Sequence, residues 1–184
     1  MTTIIGLSGS LRRGSFNSAL LRAAAEFMPP GVTFDIASIE AIPLYNGDVE
    51  ANEGVPAAVA ELKDRIAASD GVLVATPEYN NSMPGVVKNA IDWLSRPPSD
   101  IARVFQGRRI AIMGASPGPY GTTLAQTSWL PVIRTLRMHP WFEGRLMVAR
   151  AGEVFDAQGR IVDEQIHARL RDFVHGFAAF VAGG

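Results

Sequence analysis

Short apolar runs alternate along the chain with longer segments in which apolar residues recur every three or four positions. Runs of this kind, bounded by turn residues, are typical of β-strands. They predict strands at Thr3–Ser8, Val32–Ala37, Gly71–Thr76, Arg108–Gly114 and Gly144–Ala149. The third run is continuously apolar, which is typical of a central parallel strand that is covered on both faces.

The segments between these runs have the 3.6-residue period of amphipathic helices. They predict helices at Ser15–Phe27, Pro56–Ser69, Pro84–Ser95, Thr122–Met138 and Asp163–Val181. Ser15 is suited to cap the first of these helices. Pro131 lies inside the fourth helix and predicts a kink or a break there. Pro43–Gly54 has the composition of turns and predicts a surface loop.

This order of elements indicates a fold. Alternation of strands and helices at this spacing predicts a parallel sheet with helices on both faces. Five strands in 184 residues suit an α/β, flavodoxin-like three-layer fold with the strand order 2-1-3-4-5. No linker or internal repeat interrupts the pattern, so residues 1–184 are predicted to form one domain.

Composition and charge exclude several classes of function. The chain is 47% hydrophobic and 19% charged, which is typical of a globular protein. Its 17 basic and 18 acidic residues give a formal net charge of −1, which argues against a nucleic-acid partner. The absence of cysteine excludes disulfides and thiolate chemistry. With no signal-peptide pattern and no apolar stretch of membrane-spanning length, a cytoplasmic protein without a membrane partner is expected.

The loop Ser8–Asn17 follows the first predicted strand and has the composition of a phosphate site. Loops at the carboxyl ends of strands line the ligand crevice of such a sheet, and a helix start favours an anion. Hydroxyls at Ser10 and Ser15, the Asn17 amide and the Arg12 guanidinium suit a terminal phosphate monoester. The spacing matches neither the dinucleotide nor the P-loop motif. A polar loop with a capping serine is the alternative interpretation.

A second loop, Thr76–Gly85, follows the third predicted strand. The first and third strands flank the point where the strand order reverses, so both loops are expected to face one crevice. Pro77 and Pro84 stiffen this loop. Tyr79 offers an aromatic surface to a planar ring, and Asn80 offers a donor and an acceptor. A simple turn before a helix that starts at Pro84 is the alternative.

The two loops together resemble the NADPH-dependent FMN reductase family, which includes bacterial quinone reductases, also described as chromate reductases, and related azoreductases. The resemblance is specific over Gly9–Asn17 and Thr76–Arg96 and runs through most of the chain. It implies that the phosphate of FMN is held by Ser10, Arg12, Ser15, Phe16 and Asn17. It implies that the isoalloxazine ring is lined by Pro77, Glu78, Tyr79 and Asn80. The backbone of Glu78 is expected to serve the ring, because its carboxylate would oppose the anionic reduced flavin.

The resemblance also bears on the loop after the fourth predicted strand. It implies that Ser116, Gly118 and Gly121 contact the flavin, although Gly121 equally suits a turn before a helix. This chain departs from the family pattern at Asn81, where relatives often have a second aromatic residue. Its third loop is also richer in proline than expected.

As a family member, the protein would be an FMN-dependent enzyme in which the flavin carries the chemistry. No catalytic side chain is therefore predicted, and the three histidines lack the spacing of metal ligands. NADPH or NADH would reduce the flavin, which would then reduce a small acceptor such as a quinone, an azo compound or chromate in a ping-pong cycle. A homodimer or a dimer of dimers is implied, and the third and fourth predicted helices, with Trp93, Met138 and Trp141 nearby, are candidates for its interface. Trp93 lies on an apolar stripe that equally suits the core.

Three alternatives use the same fold. An electron-transfer flavodoxin would react with redox proteins and not with NAD(P)H, but Arg12 and the near-neutral net charge argue against it. A flavin reductase would release reduced FMN to a partner protein. A regulatory protein could keep the fold without turnover.

Overall fold

The computed structural model describes residues 1–183. Its strands are β1 Thr2–Ser8, β2 Val32–Ala37, β3 Gly71–Ala75, β4 Arg109–Ala115, β5 His139–Pro140 and β6 Leu146–Val148. Its α-helices are α1 Phe16–Glu26, α2 Gly47–Glu53, α3 Ala57–Ala68, α4 Gly85–Leu94, α5 Ile101–Val104, α6 Thr123–Ser128, α7 Leu130–Thr135, α8 Ala151–Val154 and α9 Glu164–Ala182. A short 3-10 helix, Pro98–Asp100, precedes α5. None of these helices is both long and apolar enough to cross a membrane.

The strands form one parallel sheet in the order β2-β1-β3-β4, and the fifth position is shared by β5 and β6. β5 pairs with the start of β4, where Arg109 lies opposite His139. β6 pairs with the end of β4, where Gly114 lies opposite Met147. The predicted flavodoxin-like order is confirmed. The last strand, however, is split into β5 and β6, and hydrophobic periodicity does not reveal a strand of only two residues such as β5.

Local sequence signals explain most of the helix boundaries. The Ser15 hydroxyl caps α1 by accepting the Ser18 N–H at 3.3 Å. The predicted break at Pro131 is confirmed, because α6 and α7 are separate helices that meet at Trp129. The prediction of a loop over Pro43–Gly54 is wrong in its second half, which forms α2.

The missed helix α2 has an ordinary start signal. The Asn46 side chain accepts the Asp48 N–H at 2.9 Å, and two acidic residues lie in the first turn. These favour a helix start, but no residue of α2 is fully buried. The segment therefore lacks the apolar stripe on which helix prediction depends.

The two faces of the sheet are covered by different helices. α1 and α9 pack on one face with a core that includes Leu20 and Phe177. α3, α4 and α7 pack on the other with a core that includes Trp93 and Met138. Trp141 is also buried, and its ring packs against Phe173 with the centroids 5.1 Å apart. Trp93, Met138 and Trp141 are therefore core residues, which confirms the core interpretation of Trp93, while the interface expected on the helices near them stays a prediction.

At the edge of the sheet where the strands begin, two cationic side chains form hydrogen bonds with other groups of the protein. Lys63 is buried, and its ammonium donates to the Arg96 carbonyl and to the Asp100 carboxylate, the latter at 3.0 Å. The Arg108 guanidinium donates to the carbonyl of Ser69, the C-cap of α3. Burial lowers the pKa of Arg108, and helix-end carbonyls favour the charge that it keeps. The contacts of Lys63 and Arg108 at this edge contribute to the stability of the fold.

Candidate functional site

Three loops leave the opposite edge of the sheet, where the parallel strands end. Loop 1 is residues 9–15, loop 2 is residues 76–84 and loop 3 is residues 116–122. Their first residues continue the ladder of the sheet. The Gly9 N–H donates to the Ala75 carbonyl at 2.8 Å, and the Thr76 N–H donates to the Met113 carbonyl at 2.9 Å. The three loops therefore leave the sheet in fixed relative positions.

Gly114, the penultimate residue of β4, allows loops 2 and 3 to approach one another. A Cβ atom there would lie 2.2 Å from the Thr76 carbonyl oxygen and 2.4 Å from the Thr122 hydroxyl oxygen. Both distances are far inside van der Waals contact, and the first is to a backbone atom. Any side chain at Gly114 would therefore push the stems of the two loops apart.

Asn17 joins α1 to the end of β4. Its side-chain Nδ2 donates to the Ala115 carbonyl at 2.8 Å, and its Oδ1 accepts the Ala115 N–H at 2.9 Å. The residue is only 2% exposed. Sequence reasoning assigned this amide to a phosphate, whereas the structure uses it to hold two elements that are 98 residues apart. What remains for a ligand is the backbone N–H of Asn17 in the first turn of α1.

Loop 1 presents a guanidinium that is free of carboxylate partners. Within residues 1–183, Arg12 makes no ion pair. Its side chain donates to the Gly14 carbonyl at 3.0 Å and lies 5.8 Å from the centre of the Phe16 ring. Phe16 in turn stacks on Phe155, with the centroids 5.5 Å apart. Arg12 is therefore supported by packing while its charge faces solvent beside the N-terminus of α1.

The tip of loop 2 is a tight hairpin. Tyr79 and Ser82 exchange two backbone hydrogen bonds of 3.0 Å each. Between them, Asn80 and Asn81 have φ values of 50° and 62°. Two consecutive residues with positive φ define a type I′ turn, in which asparagine is well tolerated. This turn accounts for Asn81, the position where the family pattern often has an aromatic residue. Tyr79 is held by the turn and remains 50% exposed.

Glu78 connects loop 2 to the helix that follows loop 3. Its Oε2 accepts the N–H groups of Leu124 and Ala125 at 2.8 and 2.9 Å. These N–H groups belong to the first turn of α6, whose own N-cap residue Thr122 makes no side-chain cap. The Glu78 carboxylate therefore caps α6 from another loop, and its charge complements the positive end of the helix.

The predicted site residues of loop 3 have different roles in the structure. The Ser116 hydroxyl accepts the Gly118 N–H at 3.2 Å and shapes the start of the loop. Gly121 has a φ of 64°, and a Cβ there would lie 3.1 Å from Cβ of Met147. The structure thus favours the turn interpretation for Gly121, since its conformation and its close approach to β6 both require glycine.

Sequence reasoning missed an apolar cleft beside loops 1 and 2. Leu11, Leu44, Tyr79 and Val86 are exposed around a cleft of about 490 Å³. Asn89 holds the segment that carries Leu44, because its Nδ2 donates to the carbonyl of residue 43 at 2.8 Å and its Oδ1 accepts the N–H of residue 45 at 2.8 Å. A tertiary contact across 46 residues leaves no periodic signal in the sequence.

Comparison with known proteins identifies the relatives of this chain. The family model for NADPH-dependent FMN reductases matches residues 2–153. An NAD(P)H-dependent FMN reductase from Pseudomonas aeruginosa is 48% identical over 97% of this chain and 94% of its own length. A 2-hydroxy-1,4-benzoquinone reductase from Burkholderia is 39% identical over 94% of this chain and 92% of its own.

A solved structure also matches over nearly its whole length. The flavoenzyme NAD(P)H:(acceptor) oxidoreductase from Paracoccus denitrificans superposes with a TM-score of 0.88 at 33% identity, covering 100% of this chain and 98% of that one. Sequence and fold thus point to the same group of flavoenzymes.

The Asn17 contact can be tested with an isosteric change. In Asn17→Asp, a carboxylate oxygen replaces the donor that faces the Ala115 carbonyl. A buried lone pair facing another costs about 1–3 kcal/mol of the free energy of unfolding, to be measured by urea denaturation at pH 7. The loss should be smaller at pH 4, because burial raises the pKa of the new carboxyl and its protonated form can donate.

Asn46→Asp is the matched control, because Asn46 is an exposed N-cap and aspartate caps a helix equally well. Its free energy of unfolding should stay within about 0.5 kcal/mol of the original. Equal effects of the two substitutions would contradict the role assigned to Asn17.

Proposed function

The chain belongs to the NADPH-dependent FMN reductase family and is an FMN-dependent NAD(P)H oxidoreductase, and we propose that it passes electrons to small quinone-like acceptors by a ping-pong cycle. The observation that carries this proposal is the convergence of three backbone-tied loops at the point where the strand order reverses. The region where the loops meet has positive charge at one end and an exposed aromatic ring at the other.

The positive end suits the phosphate of FMN. Ser15 caps α1 through Ser18, so the N–H groups of Phe16 and Asn17 have no intrahelical acceptor. Arg12 adds a guanidinium without an ion pair in the part of the chain that the structure describes, and Ser10 adds a hydroxyl. A helix start together with a free guanidinium favours a doubly charged phosphate monoester. We assign these groups to the FMN phosphate, with Ser15 and the Asn17 side chain shaping the loop.

The other end suits the isoalloxazine ring. Pro77 is buried at the start of loop 2 and fixes the backbone path. The Glu78 carboxylate is engaged by α6, so the backbone at Glu78 and the side chains of Tyr79 and Asn80 are the groups left for the ring. Loop 3 would pack beside the ring at Ser116 and Gly118, whose backbone N–H groups already donate to the Val148 carbonyl at 2.9 Å and to the Ser116 hydroxyl at 3.2 Å. Because the loops are already ordered, little conformational entropy is lost when a planar ring binds.

The bound flavin would supply the redox chemistry, accepting a hydride from NAD(P)H and delivering two electrons to an acceptor. The protein's part is to bind and orient. Since residues 1–184 are proposed to form one FMN-binding domain, reductant and acceptor would use the same open face of the flavin in turn. Relatives named for quinone reduction support a quinone as the acceptor. Azo compounds and chromate are further candidates.

Release of reduced FMN to a partner is the second candidate function. The relative from Pseudomonas aeruginosa that is named an FMN reductase favours it. The two functions differ in how tightly FMN is retained, because a ping-pong quinone reductase keeps its flavin through the cycle. A cytoplasmic location stays a prediction from the sequence.

We also propose a homodimer that meets at the apolar cleft beside loops 1 and 2. Leu44 is 85% exposed there, and Leu11, Tyr79 and Val86 are exposed around it. Apolar side chains clustered in this way are typical of an interaction surface. A second copy covering this cleft would also shield the flavin site that adjoins it. A dimer of dimers would need a further surface.

The phosphate assignment predicts a selective loss of affinity. Arg12→Ala should weaken FMN binding about 10- to 100-fold, since a charge-assisted hydrogen bond contributes about 1.5–3 kcal/mol. Riboflavin, which lacks the phosphate, should bind the variant as it binds the original protein. Quenching of flavin fluorescence measures both. Arg134→Ala, on α7 at the other face of the sheet, is the control and should change neither affinity. Equal losses for FMN and riboflavin would refute the phosphate role of Arg12.

The proposed cycle predicts two separable half-reactions. Under anaerobic conditions, NADPH or NADH should bleach the visible absorbance of the FMN-loaded protein. Benzoquinone added afterwards should restore it, with the flavin still bound after gel filtration. Flavin that NAD(P)H cannot reduce would sink the proposal, and reduced flavin that leaves the protein would favour the second candidate function.

The proposed interface predicts a change of oligomeric state. Leu44→Asp should shift the protein from dimer to monomer in analytical ultracentrifugation, because a carboxylate would be desolvated against the partner. Val162→Asp changes a comparably exposed apolar side chain away from the cleft and should leave the dimer intact. A monomeric original protein, or a dimer that Leu44→Asp does not affect, would contradict this interface.

A further inference from the structure

A small hairpin, residues 154–162, follows α8 and lies outside the three loops of the candidate site. Phe155 and Ile161 form an antiparallel bridge across it. The Asp156 N–H donates to the Arg160 carbonyl at 2.9 Å, and the Asp156 carboxylate accepts the Arg160 N–H at 2.8 Å. These local hydrogen bonds fix the backbone on both sides of the turn, so the hairpin holds Phe155 in a defined place.

The hairpin contacts the start of α1 at two points. At the first, Phe155 is only 5% exposed, and its ring stacks on Phe16 with the centroids 5.5 Å apart and the ring planes inclined by 27°. At the second, Gly159 has a φ of 77°, and a Cβ atom there would lie 3.3 Å from Cβ of Ala19. Phe16 is the first residue of α1 and Ala19 lies one turn later. The hairpin therefore packs along the helical turn at which the phosphate of FMN is proposed to bind.

The stacked rings continue outward to Arg12. Its guanidinium carbon lies 5.8 Å from the centre of the Phe16 ring, which is within the range of a cation–π contact. Phe155 is buried, Phe16 is half-buried and Arg12 is exposed, so the three side chains form a column from the core to the ligand edge. A ring held beneath an exposed arginine restricts its rotamers, and less conformational entropy is then lost when the guanidinium binds a phosphate.

We propose that Phe155 is a positioning residue for binding of the FMN phosphate, and this inference rests on the proposed function. Because Phe155 is buried, it acts through Phe16, whose ring it holds in the orientation that supports the Arg12 guanidinium beside the N-terminus of α1. The aromatic ring is essential to this role, since a planar ring stacks on Phe16 whereas an aliphatic side chain of similar size only fills space. A side chain that served the core alone would affect stability and not the affinity for phosphate.

Replacing the ring by an aliphatic side chain tests this role. In Phe155→Leu, FMN should bind about three- to fivefold more weakly, the loss expected when a cation loses its supporting ring. Riboflavin, which lacks the phosphate, should bind as it binds the original protein, and quenching of flavin fluorescence measures both. Phe155→Tyr keeps the ring and should keep the affinity for FMN. Phe16→Leu removes the other ring at a half-buried position and should give the same selective loss, whether or not Phe155→Leu folds.

A double-mutant cycle separates positioning from a general effect on the fold. In an Arg12→Ala background, Phe155→Leu should weaken FMN binding no further, because the guanidinium that Phe155 positions is gone. Phe105→Leu is the matched control, since Phe105 is 1% exposed in the core on the other face of the sheet. It should lower the melting temperature and leave the affinity for FMN unchanged.

Three results would overturn the assignment. They are an unchanged affinity for FMN in Phe155→Leu or Phe16→Leu, equal losses for FMN and riboflavin, and a loss that persists in the Arg12→Ala background. Failure of the proposed function would appear separately, as an original protein that does not bind FMN or whose bound flavin NAD(P)H does not reduce.

Discussion

The candidate site depends on a single buried amide. Asn17 pairs with both polar groups of the Ala115 backbone, as a neighbouring strand would, and so ties the first turn of α1 to the end of β4. Without it, the start of α1 and the start of loop 3 would be joined only by the apolar packing of α1 against β4. Because both groups of the amide are satisfied, it can be fully buried at little cost. Two further features fix the same loop stems. The Glu78 carboxylate caps α6, and the lack of a side chain at Gly114 lets loops 2 and 3 approach each other.

Cationic side chains have different surroundings at the two edges of the sheet. Where the strands begin, the buried Lys63 and the half-buried Arg108 donate to carbonyls and a carboxylate, so their charge is used within the protein. Where the strands end, Arg12, Arg13 and Arg22 are exposed and without carboxylate partners in the described part of the chain. Unpaired cations at a ligand edge raise the local concentration of anions. This asymmetry agrees with the rule that α/β sheets bind ligands at the carboxyl ends of their strands.

Hydrophobic periodicity was enough to predict the alternation of strands and helices, and residue type was enough to predict the cap at Ser15 and the break at Pro131, because each depends on residues close in sequence. The strand order followed from the fold class that this alternation suits. The roles of Asn17 and Glu78 could not be predicted in this way. Their partners lie 98 and about 46 residues away, and a polar side chain in a loop has the same sequence signature whether it binds a ligand or the backbone. Trp93 could be placed only in the structure for a related reason, since an apolar stripe does not reveal whether a core or a second subunit covers it.

The proposed flavin site and the exposed side of α1 differ in how freely they can change. Tyr79 and Asn80 belong to a type I′ turn, and their neighbours Glu78 and Gly114 are fixed by contacts to other loops. A substitution there disturbs several elements at once. Arg22, in contrast, projects from the exposed side of α1, and its replacement leaves the core unchanged. Substitutions can therefore accumulate on the exposed side of α1 while the loops proposed to hold the flavin stay constant.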